Sequence, residues 1–169
     1  MKNIILRHPT ITDMWAFLAA VNHSKTLHFP WVKPPQTEVE FLCFLEKCQQ
    51  SSNFSYLIIE SLQIVGVINL NNIIRSCFQN AYLGFYAMHP FQGKGYMSYG
   101  LKHVIQQAFN NLSLHRLEAN IQPNNYASIQ LVKASGFRKE GYSPHYLEVN
   151  NTWQDHERWA ITFEDFNKH

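Results

Sequence analysis

The sequence predicts a single α/β domain, residues 1–169, built on a mixed and partly parallel sheet. Three observations carry that expectation. The second half alternates strand and helix patterns, which favours parallel strands joined by crossover helices. The middle holds two apolar runs linked only by Ser61, Leu62 and Gln63, which reads as an antiparallel hairpin. Gly93 and Gly95 stand between a strand pattern ending at Met88 and a long amphipathic pattern. That is the carboxyl end of a strand, where open α/β sheets bind ligands. With 169 residues, 46% apolar and 15% charged, the chain can bury one core and is not disordered.

Taken in order, residues 3–6 are a short apolar run, expected as a first strand. Thr10 or Thr12 caps a helix over residues 13–21, where Met14, Phe17, Leu18 and Val21 recur at helical spacing. Residues 22–35 show no period and contain Pro30, Pro34 and Pro35. Proline removes donors and stiffens the chain, so an ordered loop is expected here. Phe29 and Trp31 on that loop suit either a substrate wall or a plug at the core edge. Thr37 and Glu40 make a capping box ahead of a helix whose apolar face is Phe41, Leu42, Phe44, Leu45 and Cys48. Residues 54–60 and 64–74 are the hairpin strands, with Gly66 marking a bulge, and residues 81–88 are the next strand. Leu101, Val104, Ile105, Ala108, Phe109 and Leu112 define an amphipathic helix over residues 95–112. Residues 116–121 alternate as a strand. Residues 127–135 form a short helix with Gly136 in the place of a left-handed C-terminal cap. Residues 146–149 and 152–163 close the chain as a hairpin around Asn150-Asn151, a pair that tolerates a type I′ turn.

Composition excludes several classes. A net charge of +2 is too small to argue for nucleic acid or a membrane surface. No apolar run is long enough to span a bilayer and no signal-peptide pattern opens the chain, so a cytoplasmic protein is expected, as a monomer or homodimer. Cys43, Cys48 and Cys77 are odd in number and lack paired spacing, which argues against a disulfide framework or a zinc site. His89, His115 and His156 are not at metal-ligand spacing, and no metal is expected.

The chemistry centres on residues 92–97, Gln92-Gly93-Lys94-Gly95-Tyr96-Met97. Two glycines at a strand-to-helix crossing leave backbone N–H groups unobstructed at the positive end of a helix dipole, a site for a phosphate or pyrophosphate. A second polar pair, Asn125 and Ser128, opens the next helix. If the strand before it lies beside residues 81–88, both helix starts face one crevice and one ligand spans them. The plainer alternative is that Asn125 is a helix N-cap and Ser128 a first-turn residue.

These residues carry a resemblance to the GNAT superfamily of acetyl-CoA-dependent N-acetyltransferases. The family's pyrophosphate loop has the pattern Gln/Arg-x-x-Gly-x-Gly/Ala, and Gln-Gly-Lys-Gly is a common form of it, read as Gln92, Gly93 and Gly95. Asn125, Ser128, Leu131 and Gly136-Phe137 also look like the family's. Tyr82-Leu83-Gly84-Phe85, residues 114–119 and the ending from Val149 to His156 resemble the ribosomal-protein-alanine N-acetyltransferase group most. The similarity runs from about residue 4 to 163 and is strongest between Tyr82 and Phe137.

The resemblance implies a GNAT-type sheet, mixed, splayed at its centre and flanked by about four helices. It implies transfer of an acetyl group from acetyl-CoA to a primary amine by direct attack on the thioester, with a protein N-terminal α-amine as the leading acceptor. Polyamine, aminoglycoside or amino-acid-like acceptors are alternatives, and so is a non-catalytic acetyl-CoA-binding module. Tyr86, Ala87 and Met88 would meet the thioester and pantetheine through backbone N–H groups. Gln92, Gly93, Lys94, Gly95, Tyr96 and Met97 would cradle the pyrophosphate. Many superfamily members place an acidic tyrosine where this chain has Val132, so Ser128 becomes the candidate acid toward the sulfur, with Asn125 on the pantetheine. Glu118 is the candidate base and Glu148 its competitor. Trp31, Tyr142 and Tyr146 are candidate walls for the acceptor.

Overall fold

The computed structural model describes residues 4–168. Asn3, where the first strand was expected to begin, lies outside them. A seven-stranded sheet runs in the order β1-β2-β3-β4-β5-β7-β6. Its strands are β1 (Ile4–Arg7), β2 (Phe54–Glu60), β3 (Gln63–Ile74), β4 (Asn80–Ala87), β5 (Arg116–Ile121), β6 (Arg138–Val149) and β7 (Thr152–Thr162). All neighbours are antiparallel except β4 and β5, which are parallel. That one pair decides the shape of the molecule. Its register runs from Asn80 opposite Arg116 to Leu83 opposite Ala119 and stops there, while β4 continues to Ala87 and β5 to Ile121. The sheet therefore splays at its centre.

Helices cover the two faces unequally. On one face lie α1 (Met14–His23) and α3 (Glu38–Cys48), where Phe17, Val21 and Phe41 meet Leu57, Val67 and Met88. On the other lie α4 (Tyr96–Gln106), continued by a π-turn over Gln107–Asn111, and α5 (Tyr126–Ala134). Their Leu101, Val104, Ile105 and Val132 join Ile58, Ile68, Leu117 and Ile161 in the larger core. Each such fully buried aliphatic contributes about 1.5–3 kcal/mol. Gly100 lets α4 approach closely, since a Cβ there would stand 2.4 Å from Ile58 Cδ1.

The capping box at Thr37 and Glu40 forms as expected, with Thr37 Oγ1 accepting the Glu40 N–H and Glu40 accepting the Thr37 N–H. Gly136 takes φ +89°, and Asn150 and Asn151 take +53° and +61° in the hairpin turn. The register shift in the β2–β3 hairpin lies opposite Ile58 and Ile59 and involves Val65, beside the expected Gly66.

Three expectations need correction. Residues 22–35 are not all loop, because α2 (Lys25–His28) adds one helical turn before the prolines begin. β6 begins at Arg138, well before residue 146. Its charged start, Gly141 and Pro144 hide the strand pattern, and an edge strand with register shifts after Lys139 and Ser143 tolerates them. A final short helix, α6 (Phe163–Phe166), follows β7.

Candidate functional site

The splay opens a cleft of about 480 Å³ between the ends of β4 and α5. Its walls combine the turn after β4, the first turns of α4 and α5, and the segment from Leu27 to Val32. Gly93 and Gly95 take φ +72° and +85°, and a Cβ on either would meet nothing within 4 Å. The glycines serve the left-handed backbone and the open approach to it rather than close packing. Gly95 caps α4, so the amides that follow stand at the positive end of its dipole. The turn thus has the open, left-handed backbone ahead of a helix start that an anion cradle requires.

Strand geometry sorts the donors of β4. The Met88 N–H donates to Val65 O at 2.9 Å, and Ala87 lies opposite Gly66. Donors alternate along a strand, so the N–H groups of Tyr86 and Met88 face β3, while those of Phe85 and Ala87 face the gap. This corrects the expectation that residues 86–88 all present amides to a ligand. Met88 is fully buried beneath α1 and its amide is spent inside the sheet. Phe85 and Ala87 both line the cleft and turn their amides to the gap.

On the opposite wall, Asn125 is indeed the N-cap of α5, its Oδ1 accepting the Ser128 N–H at 3.3 Å. Both residues nonetheless line the cleft. The cap uses the Ser128 amide and not its hydroxyl, and the residue as a whole is half-buried. Gln92, Gly93, Gly95, Tyr96 and Met97 line it as well. Lys94 is not in the lining; its ammonium sits 5.4 Å above the Phe91 ring. Counted from Gln92, the pattern Gln-x-x-Gly-x-Gly/Ala falls on Gln92, Gly95 and Met97, so only its last small-residue slot departs. Met97 fills that slot and packs over Gly66, where a Cβ would lie 2.4 Å from its sulfur.

Among the described residues no carboxylate lines the cleft. Glu118 lies on β5 outside it, with Oε1 accepting from Arg116 Nε at 3.0 Å. Arg116 in turn reaches Glu140, and that bond raises the guanidinium above its ordinary value. Glu148 is exposed on the distal arm of the β6–β7 hairpin, opposite Trp153. Val132 is fully buried in the core and does not line the cleft.

Of the expected acceptor walls, Trp31 lines the cleft and the two tyrosines do not. Tyr142 pairs across the strands with Glu157 and its hydroxyl donates to Asp155. Tyr146 packs edge-on against the buried His156, 6.2 Å between ring centres. A second hollow of about 210 Å³ lies against the same end of β4, lined by residues 32–35, Phe44, Asn69 and residues 84–86. The hairpin reaches toward it, Asn150 Nδ2 donating to Pro30 O at 3.1 Å. The sequence reading missed Phe85, Val32 and the buried His28, which has no motif to mark it. Among the described residues no group of three or more His, Cys, Asp or Glu could hold a metal, and no helix is long and apolar enough to cross a membrane.

Comparison with known proteins bears on this arrangement. Residues 3–138 match the family model described as an acetyltransferase (GNAT) domain. The probable N-acetyltransferase YjcK of Bacillus subtilis is 35% identical over 103 residues, covering 61% of this chain and 57% of that protein. The ribosomal protein uS5-alanine N-acetyltransferase of Escherichia coli is 38% identical over 104 residues, covering 62% and 54%. The chain thus spans somewhat more than half the length of these curated relatives. Mycobacterium smegmatis RimJ, solved in complex with CoA-disulfide, superposes with a TM-score of 0.88 at 24% identity over 96% of this chain and 83% of that one. The spermidine N-acetyltransferase of Vibrio cholerae, solved with CoA and spermine, gives 0.82 at 18% identity over 97% and 98%. At such identities the two structures show a shared fold.

Proposed function

The chain belongs to the GNAT acetyltransferase family, and from that premise we propose that it is an acetyl-CoA-dependent N-acetyltransferase acting on a protein N-terminal α-amine. The observation that carries the cofactor reading is the splay itself. One cleft joins an anion cradle at Gly93 and Gly95 to strand amides left unpaired where β4 parts from β5. Those residues fit a long anionic thioester. When bound, acetyl-CoA supplies the activated acetyl group.

The chain's own residues then divide the work. The amides from Gln92 to Met97 hold the pyrophosphate. The gap-facing N–H groups of Phe85 and Ala87 orient and polarise the thioester carbonyl. Ser128 holds a proton at Oγ for the departing sulfur, and Asn125 fixes the helix start that carries it. The amine loses its proton to solvent at the cleft mouth, because the candidate carboxylates Glu118 and Glu148 both lie outside the lining.

The second hollow supports a peptide acceptor. Among the described residues its lining contains Lys33 and no carboxylate, so a polyamine would meet a like charge without a counter-charge. Asn69 lines it with a buried Oδ1 that has no hydrogen-bond partner, an acceptor suited to a peptide N–H. The test is thiol release from acetyl-CoA with an alanine-starting peptide, spermidine, an aminoglycoside and free amino acids. The peptide should exceed the rest by at least about tenfold in kcat/KM, roughly the effect of one unfavourable charge contact. A preference for spermidine overturns the acceptor class. Tight CoA binding without turnover on any acceptor favours a non-catalytic module.

A further inference from the structure

Between α1 and the proline-bearing loop, α2 and the residue that caps it send two buried polar side chains to the end of β4. Ser24 and His28 are 1% and 4% exposed and stand four residues apart on one face. Ser24 Oγ donates to Ala20 O at 2.7 Å and accepts the His89 N–H at 2.9 Å. His28 Nε2–H donates to Ala87 O at 2.8 Å, with its ring edge-on to Tyr86. Met88 donates to Val65 and accepts from Phe91. Every backbone polar group from the Ala87 carbonyl to the His89 amide is therefore held in place.

The same histidine reaches the other side of the site through its backbone. Its carbonyl accepts the N–H groups of Trp31 at 2.8 Å and Val32 at 3.0 Å. Both residues line the cleft, and Val32 also lines the second hollow. A carbonyl only accepts, so the ring must be the Nε2–H tautomer with a bare Nδ1. That Nδ1 is buried without a partner. A phenylalanine would fill the space without this cost, so the histidine is distinguished by the one bond it donates. Burial lowers the proton affinity of the ring, which keeps it neutral. Enclosed as it is, Nδ1 does not meet the amine.

We propose that His28 is a positioning residue shared by both half-sites. Its imidazole fixes the Ala87 peptide, and with it the gap-facing amides, while its carbonyl holds the Trp31–Val32 turn. The catalytic consequence rests on the acetyl-transfer reading above; the anchoring does not.

The experiment compares the full chain with His28→Gln, which keeps a donor at similar reach, and His28→Phe, which keeps the shape alone. Amide hydrogen exchange and steady-state transfer are measured on all three. In His28→Phe, the Met88 amide, on the peptide whose carbonyl loses its donor, should exchange at least about tenfold faster. Its kcat should fall about 100-fold, as for a displacement of about 1 Å in a reacting group, with KM for acetyl-CoA within about threefold. His28→Gln should restore both. Parent-like exchange in His28→Phe, or a glutamine variant no better than the phenylalanine one, overturns the proposal. If the parent binds CoA yet transfers to no acceptor, the acetyl-transfer reading fails and exchange alone decides the anchoring.

Discussion

The two halves of the site are built by different means. The proposed cofactor half is made of backbone: positive-φ glycines, a helix N-terminus, strand amides freed by the splay, and a capped second helix. The proposed acceptor half is made of side chains, residues 31–35 on the loop with Phe44 and Asn69 beside them, and a bond from Asn150 Nδ2 to Pro30 O ties the edge hairpin to that loop. Backbone donors recognise what every acetyl-CoA shares and change little with sequence. Side chains on loops set which amine enters and vary freely. The difference separates what the molecule does from whom it does it to.

The strongest way to break this contrast is Gly95→Asp. The residue takes φ +85° with open space around it, so the fold should survive at a strain of about 1–2 kcal/mol. A carboxylate set into the anion cradle should weaken CoA binding by at least about 100-fold in calorimetry. Binding unchanged by that variant would remove the pyrophosphate from the glycine turn. Ser128→Ala is next. Since the cap employs the amide, stability should hold while kcat falls about 100-fold and KM for acetyl-CoA stays within about threefold. A parent-like kcat would take the proton on sulfur away from Ser128.

Asp13 offers a control that lies in neither half. It accepts from both Arg7 guanidinium nitrogens at 2.8 and 2.5 Å and from the Thr10 N–H at 2.7 Å. The Arg7 bond holds its carboxyl below the usual range. A depressed folded-state value contributes stability above the unfolded value of about 3.9, and the contribution is lost as pH falls through the lower folded value. Asp13→Asn should therefore cost about 1–3 kcal/mol at neutral pH in urea unfolding, and the deficit should shrink below about pH 4. Transfer kinetics on the folded fraction should not change. The smallest effects belong to the acceptor half. Asn150→Ala should raise the acceptor KM about threefold with acetyl-CoA unaffected, the worth of one exposed hydrogen bond. Glu118→Gln should also stay within about threefold in kcat, whereas a collapse would restore Glu118 as the base.

The same division governs what could be read from the sequence. Gly93, Gly95, Asn125 and Gly136 were legible because positive φ and caps demand particular residue types at particular offsets. The helices of the core were legible from apolar spacing. Arg116 and Glu118 stand at i and i+2 on one strand face, so their pairing was open to local reasoning. Glu140 was not, because β6 was read as starting later than it does. Which amides of β4 face the gap follows from register, and register depends on a partner strand some twenty residues earlier. His28 was invisible because its role is a side-chain bond to the backbone of a distant strand, with no periodicity or motif behind it. Tyr142 was misread as a wall because strand pairing with Glu157, not composition, decides its face.

A structure of the full chain with CoA tests the central claim most directly. The expected result is one CoA in the splay, with pyrophosphate oxygens about 3 Å from amides between Gln92 and Met97 and the sulfur arm beside Phe85 and Ala87, facing Ser128. A CoA seated elsewhere, or one whose pyrophosphate makes no contact with the glycine turn, would contradict it.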